Sequence, residues 1–197
     1  MNFSLLYSRS RALPSIATAL VGIAALAALF AHLLQQQLDA DHTSRLPVTV
    51  FAPLLAAAAI GTSLHTPSDE LDRTAVRRWA TRRLLHVGVL TGLTAALLAG
   101  SVPGGPHAYG AGAMVRNLVG VTGVTVAASV LLGARRSWLP VTLYVGLTYL
   151  LAPPGPHGTV WTWYTQPGSD SGSWAVAATA FVTGTVLHSW RGSRAEG

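Results

Sequence analysis

The 197 residues include no cysteine and no lysine, and only 10% of them are charged. Without cysteine the chain forms no disulfide and no thiolate metal site, and it has no thiol for catalysis; the redox compartment stays open. Without lysine it cannot build the phosphate-cradling loop of ATPases, which needs Gly-Lys followed by Ser or Thr. If ATP drives this protein's work, a separate subunit must hydrolyse it. The scarcity of charge is as restrictive, because a water-facing domain usually carries about 25% charged residues. Half of this sequence is hydrophobic, so lipid must supply much of its solvent. The 13 basic residues are all arginine, and alanine, glycine and proline abound, as in products of a GC-rich bacterial genome.

What is present is a series of long apolar runs. A hydrocarbon core of roughly 30 Å takes about 20 apolar residues per helix, and lipid leaves every backbone N–H and C=O to be paired within the segment. Six spans are expected, at about 14–34, 46–64, 84–102, 113–132, 138–152 and 174–190. The fifth is short and ends at Pro153-Pro154, which leaves a tilted, re-entrant or extended segment as alternatives. The expected fold class is all-α, a single polytopic membrane helix bundle. A cleaved signal peptide competes for the first run, whose length exceeds the usual apolar region of about 7–15 residues. Before it, Phe3, Leu5, Leu6 and Tyr7 beside Arg9 and Arg11 read as an interfacial stub or a frayed tail. The connections, none longer than roughly 20 residues, are too short to enclose a soluble core.

Arginine placement sets the expected orientation, because cytoplasmic loops retain positive charge. With the N-terminus inside, the cytoplasmic segments hold Arg9, Arg11, Arg73, Arg77, Arg78, Arg82, Arg83, Arg135, Arg136, Arg191 and Arg194. Only Arg45 and Arg116 remain for the other face. Both termini are thus expected in the cytoplasm of a bacterial cell, with the chain multi-pass in its plasma membrane.

The most charged stretch is the loop 65–83, HTPSDELDRTAVRRWATRR, in which Asp69, Glu70 and Asp72 precede the arginines. Acids first and bases last suit a helix macrodipole, and Ser68 is a fitting N-cap, so a short cytoplasmic helix is expected from about Asp69 to Arg82. Such a cluster either sets topology and touches anionic headgroups or docks a partner.

Here a resemblance enters. The layout resembles the small six-helix permease subunits of ABC-type exporters, the type 2 class. Their loop after the second span carries acidic residues, an acid-Arg-x-x-Thr-like stretch and basic residues leading into span three. In that place stand Asp69, Glu70, Leu71, Asp72, Arg73 and Thr74, followed by Arg82-Arg83-Leu84-Leu85. The stretches MVRNLVGVTG and VWTWYTQP are similar to those of a group of actinobacterial membrane proteins. The resemblance implies a permease energised by a separate cytoplasmic ATPase subunit docking on Asp69, Glu70, Asp72, Arg73, Thr74, Arg77 and Arg78. It also implies a homodimer or a heterodimer with a related permease. The alternative is a non-transporting membrane protein that binds or regulates another, in an immunity or accessory role. No nucleic-acid partner and no cofactor are expected.

Arg116 and Asn117 enter span four. Arg116 either snorkels to headgroups or lines a translocation path, with Asn117 as its hydrogen-bonding neighbour. Gly88 and Gly92 form a Gly-x-x-x-Gly pair suited to helix packing, inside the chain or against a partner. The seven histidines lack metal-ligand spacing and read as interface residues, His32 and His188 included. Trp138, Trp161, Trp163, Tyr164, Trp174 and Trp190 fall at span ends, as an aromatic belt or, for Trp161, Trp163 and Tyr164, a solute-stacking group. Catalysis is not expected. Ser129 and His188 lie in spans four and six, but VAASVLL lacks the glycines of a rhomboid-like nucleophile, and DELD alone does not make the paired aspartate motifs of membrane prenyltransferases.

Overall fold

In the computed structural model, residues 13–36, 46–65, 79–102, 109–151 and 160–194 are described. The coupling residues Asp69, Glu70, Asp72, Arg73, Thr74, Arg77 and Arg78 lie outside them, as do His107, His157 and the N-terminal stub. The described residues are all-helical, with no strand. The helices are α1 (Leu13–Gln35), α2 (Leu46–Thr62), α3 (Trp79–Ser101), α4 (Ala111–Leu132), α5 (Trp138–Leu151) and α6 (Ser171–Arg191), with a 3-10 segment at Val160–Thr165. Three of them, α1, α3 and α4, are long and apolar enough to cross a membrane; α2 and α5 are shorter apolar helices. The remaining helix, α6, is long enough but mixes serine, threonine and histidine into its apolar run.

Local chemistry explains the ends. Asp170 caps α6, its carboxylate accepting Ser173 N–H at 2.7 Å and Ser173 Oγ–H at 2.5 Å. Those two bonds hold the Asp170 carboxyl below its usual range. The cap is thus intact above the ordinary carboxylate pKa and is lost as pH falls through the lowered one. Gly133 (φ 86°) and Gly192 (φ 72°) close α4 and α6, their N–H groups returning to Ser129 O and His188 O. The start of α3 differs from that of its apolar run. Its helix begins at Trp79, five residues before the apolar run, because Arg82 and Arg83 are good helix formers that end an apolar run without ending the helix.

Helix directions follow from the contacts. Gly168, just before α6, abuts Ala113; Gly123 meets Ala180, Phe181 and Gly184; and Ser129 meets His188, so α4 and α6 run parallel. Along α2, Thr49 lies by Asn117 and Gly61 by Thr125, which gives it the same direction. Helices α3 and α5 run the other way: His86 near the start of α3 meets Ser63, and Ser137 before α5 meets Gly61. The bundle therefore has an Arg116 end and a Ser129 end. Of the described arginines, Arg82, Arg83, Arg135, Arg136, Arg191 and Arg194 lie at the Ser129 end and Arg116 alone at the other.

At the centre stands α4, with 61% of its span buried against 22% for α1 and α3. Its contact with α6 is made backbone to backbone. A Cβ added to Gly184 would overlap the Gly123 carbonyl, and one added to Gly123 would overlap Ala180 and Phe181. These glycines supply the close approach that small residues permit between membrane helices. Gly88 and Gly92 do not: a Cβ at either meets nothing within 4 Å, so among the described residues no helix packs on them.

Candidate functional site

The buried polar centre of the Arg116 end is built on the first turns of α4. Neither expected position for Arg116 is found. Its side chain is 0% exposed, so it reaches neither headgroups nor an open path. Its guanidinium lies in a cage of oxygens: Nε and Nη2 donate to Asn117 Oδ1 at 3.1 and 3.0 Å, Nη1 to Pro167 O at 2.6 Å, and Nη2 to Gln166 O at 2.7 Å and Tyr164 O at 3.3 Å. The three carbonyls come from the end of the 3-10 segment and the residues after it, where the helical ladder stops; Pro167 O also accepts the Asp170 N–H at 3.1 Å. Arginine thus serves as their cap. Asp170 acts on Arg116 electrostatically without bonding to it.

Asn117 extends the cage to α2. Its Nδ2 donates to Thr49 O at 2.8 Å and to Tyr164 O at 2.7 Å. Thr49 precedes Pro53 by four residues, and Pro53 lies inside α2 without an N–H to donate. The carbonyl that proline leaves unpaired is the one that Asn117 takes up. One dipeptide therefore satisfies backbone from two places remote in sequence, as non-helical backbone at membrane depth requires.

The 3-10 segment is further held by aromatics. Trp163 is buried with its indole against Gly120, one turn beyond Arg116, where any Cβ would collide with the ring. Tyr164 is buried edge-on to Trp163 at 6.0 Å and bonds Thr148 Oγ1 of α5 at 2.6 Å. Tyr144 of α5 donates to Trp161 O. Trp163 and Tyr164 are thus core rather than belt or solute platform, whereas Trp161 is 73% exposed. At 14 residues, α5 is about 21 Å long. The 3-10 segment, bonded to its last turns, adds depth on that side.

At the Ser129 end, the structure brings together the two residues weighed for catalysis. Ser129 Oγ lies 3.3 Å from His188 Nδ1. Ser129 Oγ also donates to Val126 O at 2.7 Å, which commits its single proton and makes it the acceptor toward the imidazole. A nucleophile needs the opposite polarity. Both side chains are buried, so the pair ties α4 to α6, and His188 is an interior rather than an interface histidine. His86 Nε2 meets Ser63 Oγ at 3.3 Å in the same region. Among the described residues no three of His, Cys, Asp and Glu group as metal ligands.

The fold and this site define an all-helical protein with membrane-type helices and an internally saturated polar anchor. No family model, no curated protein and no solved structure matches the chain. Neither Gly120, Gly123 and Gly184 nor the Pro53–Asn117 relation was singled out from sequence. A proline within an apolar run and an amide at the entry of another is the signal by which sequence could have found the latter.

Proposed function

We propose that this chain is a six-span permease subunit of an ABC-type exporter, both termini cytoplasmic, energised by a separate ATPase that docks on the loop 65–83. The carrying observation is the open face of α3, the helix that leaves this loop. Gly88, Gly92 and Gly100 meet nothing, and Leu85, Val89 and Leu93 beside them are more than half exposed. A single copy has its polar anchor saturated from within, so a path for solute needs a second subunit, and α3 offers the surface for it. The arginines at the Ser129 end support placing that end in the cytoplasm of a bacterial plasma membrane.

The test is affinity purification in mild detergent, comparing the chain with an Asp69→Ala, Glu70→Ala, Asp72→Ala variant. The expected result is a nucleotide-hydrolysing subunit recovered with the unmodified chain and reduced at least tenfold with the variant. Recovery of no ATPase by correctly inserted protein contradicts the reading. A second reading, a non-transporting membrane protein that binds and regulates another, is favoured by Arg116, which holds backbone where a solute path would need it open. It predicts recovery of an integral partner without an ATPase.

A further inference from the structure

Two hydroxyls break the hydrogen-bonding rule that the rest of the bundle obeys. Thr94, Thr125 and Thr185 each return their hydroxyl to a carbonyl four residues back, at 2.7, 2.8 and 2.7 Å. Thr91 on α3 and Thr122 on α4 are also buried, 4% and 0% exposed, yet the Oγ1 of each has no hydrogen-bond partner. A buried hydroxyl left so is costly, which makes two of them in neighbouring helices informative.

Their heights coincide. The helices α3 and α4 pack against each other in opposite directions. Val87 shares one buried cluster with Val126, and Leu98 shares another with Met114 and Leu118. Along α3 the buried residues that share a face by spacing are Val87, Thr91, Thr94 and Leu98; along α4, which is buried on several sides, Met114, Leu118, Thr122 and Val126 share one. Thr91 stands four residues beyond Val87 and Thr122 four residues before Val126, the spacing that keeps residues on one helix face. In an antiparallel pair, both threonines therefore fall one turn above the valine level.

We infer that Thr91 and Thr122 bracket a buried water-binding site in the middle of the α3–α4 seam, the water accepting from or donating to both hydroxyls. A water is the ligand of matching chemistry. It offers two donors and two acceptors, and buried waters in proteins make about three hydrogen bonds to otherwise unsatisfied groups. The site is independent of the exporter reading. Under that reading it acquires a use, because α3 carries the docking loop's movement into the bundle. A water-bridged level lets the seam re-form after a shift, which interlocked side chains resist.

A double-mutant cycle on the full chain in detergent tests this. Thr91→Val and Thr122→Val keep the shape and remove a hydroxyl. Each is expected to lower the apparent Tm by roughly 2–4 °C, and the double variant to fall no further than the worse single one. Thr91→Asn, whose amide occupies the water's place and reaches Thr122, is expected to recover at least half of the loss from Thr91→Val. Valine variants that are neutral or stabilising, additive losses in the double variant, or an asparagine variant as unstable as the valine one overturn the site. The readout is folding, so it stands apart from the outcome of the ATPase co-purification.

Discussion

Replacing Arg116 by methionine should be the most damaging single change at the polar anchor. Methionine fills much of the volume but donates nothing, so the carbonyls of Gln166 and Pro167 lose the bonds recorded at 2.7 and 2.6 Å. Tyr164 O keeps only its bond from Asn117. Two effects compete. Removing a buried cation relieves a desolvation cost of several kcal/mol. Leaving Asn117 Oδ1 without a donor and stripping the charge-assisted bonds from Gln166 O and Pro167 O costs about 1–3 kcal/mol each. The second wins because the cation is already compensated by four oxygens, whereas Asn117 Oδ1 loses both of its recorded donors at once and Pro167 O keeps only the Asp170 N–H at 3.1 Å. The expected loss is about 3 kcal/mol, or an apparent Tm roughly 6–12 °C lower. Thermal unfolding in detergent, read by intrinsic fluorescence, checks it. Arg116→Lys should fall between, since a single ammonium cannot span Asn117 Oδ1 and three separate carbonyls as a planar fork does.

The other large effect is expected at the α4–α6 crossing. Gly184→Ala places a methyl group on the Gly123 carbonyl. Side chains yield to overpacking by changing rotamer, at about 1–3 kcal/mol. Here the obstacle is backbone, so the helices must separate along their length. The loss should reach or exceed about 3 kcal/mol, with Gly123→Ala behaving alike. Gly88→Ala and Gly92→Ala provide the contrast, since nothing lies within 4 Å of either site. They should leave the isolated chain as stable or raise its stability by up to about 1 kcal/mol through helix propensity. If α3 seats a partner there, the same two substitutions reduce its co-purification. Equal losses at Gly88 and Gly184 in thermal unfolding would contradict this packing.

The apolar runs located the helices because burial in lipid demands length and apolarity, both of which are written in consecutive residues. Runs at 14–34, 46–64 and 113–132 match α1, α2 and α4 to within two residues at each end. Helix α3 starts ahead of its apolar run for a physical reason: the end of an apolar run and the end of a helix are different things, and arginines mark the first while continuing the second. The site was legible in identity and not in role. Arg116 and Asn117 stand out as polar residues in an apolar run, but their acceptors are carbonyls about 50 residues onward and at Thr49, and carbonyls carry no residue signature. The glycines show the same limit. Gly88 and Gly92 attract notice by their spacing within one helix, whereas Gly123 and Gly184 acquire meaning only when folding brings two helices together.

The proposed function stands on the insertion of this chain with its arginine-rich end in the cytoplasm, and its lack of cysteine makes that directly measurable. Single cysteines at Ser169→Cys and Arg136→Cys, both exposed positions at opposite ends of the bundle, are labelled with a membrane-impermeant maleimide in intact cells and again after lysis. The account predicts labelling of Ser169→Cys in intact, outer-permeabilised cells and of Arg136→Cys only after lysis. Labelling of Arg136→Cys in intact cells, or of both positions alike, would contradict it.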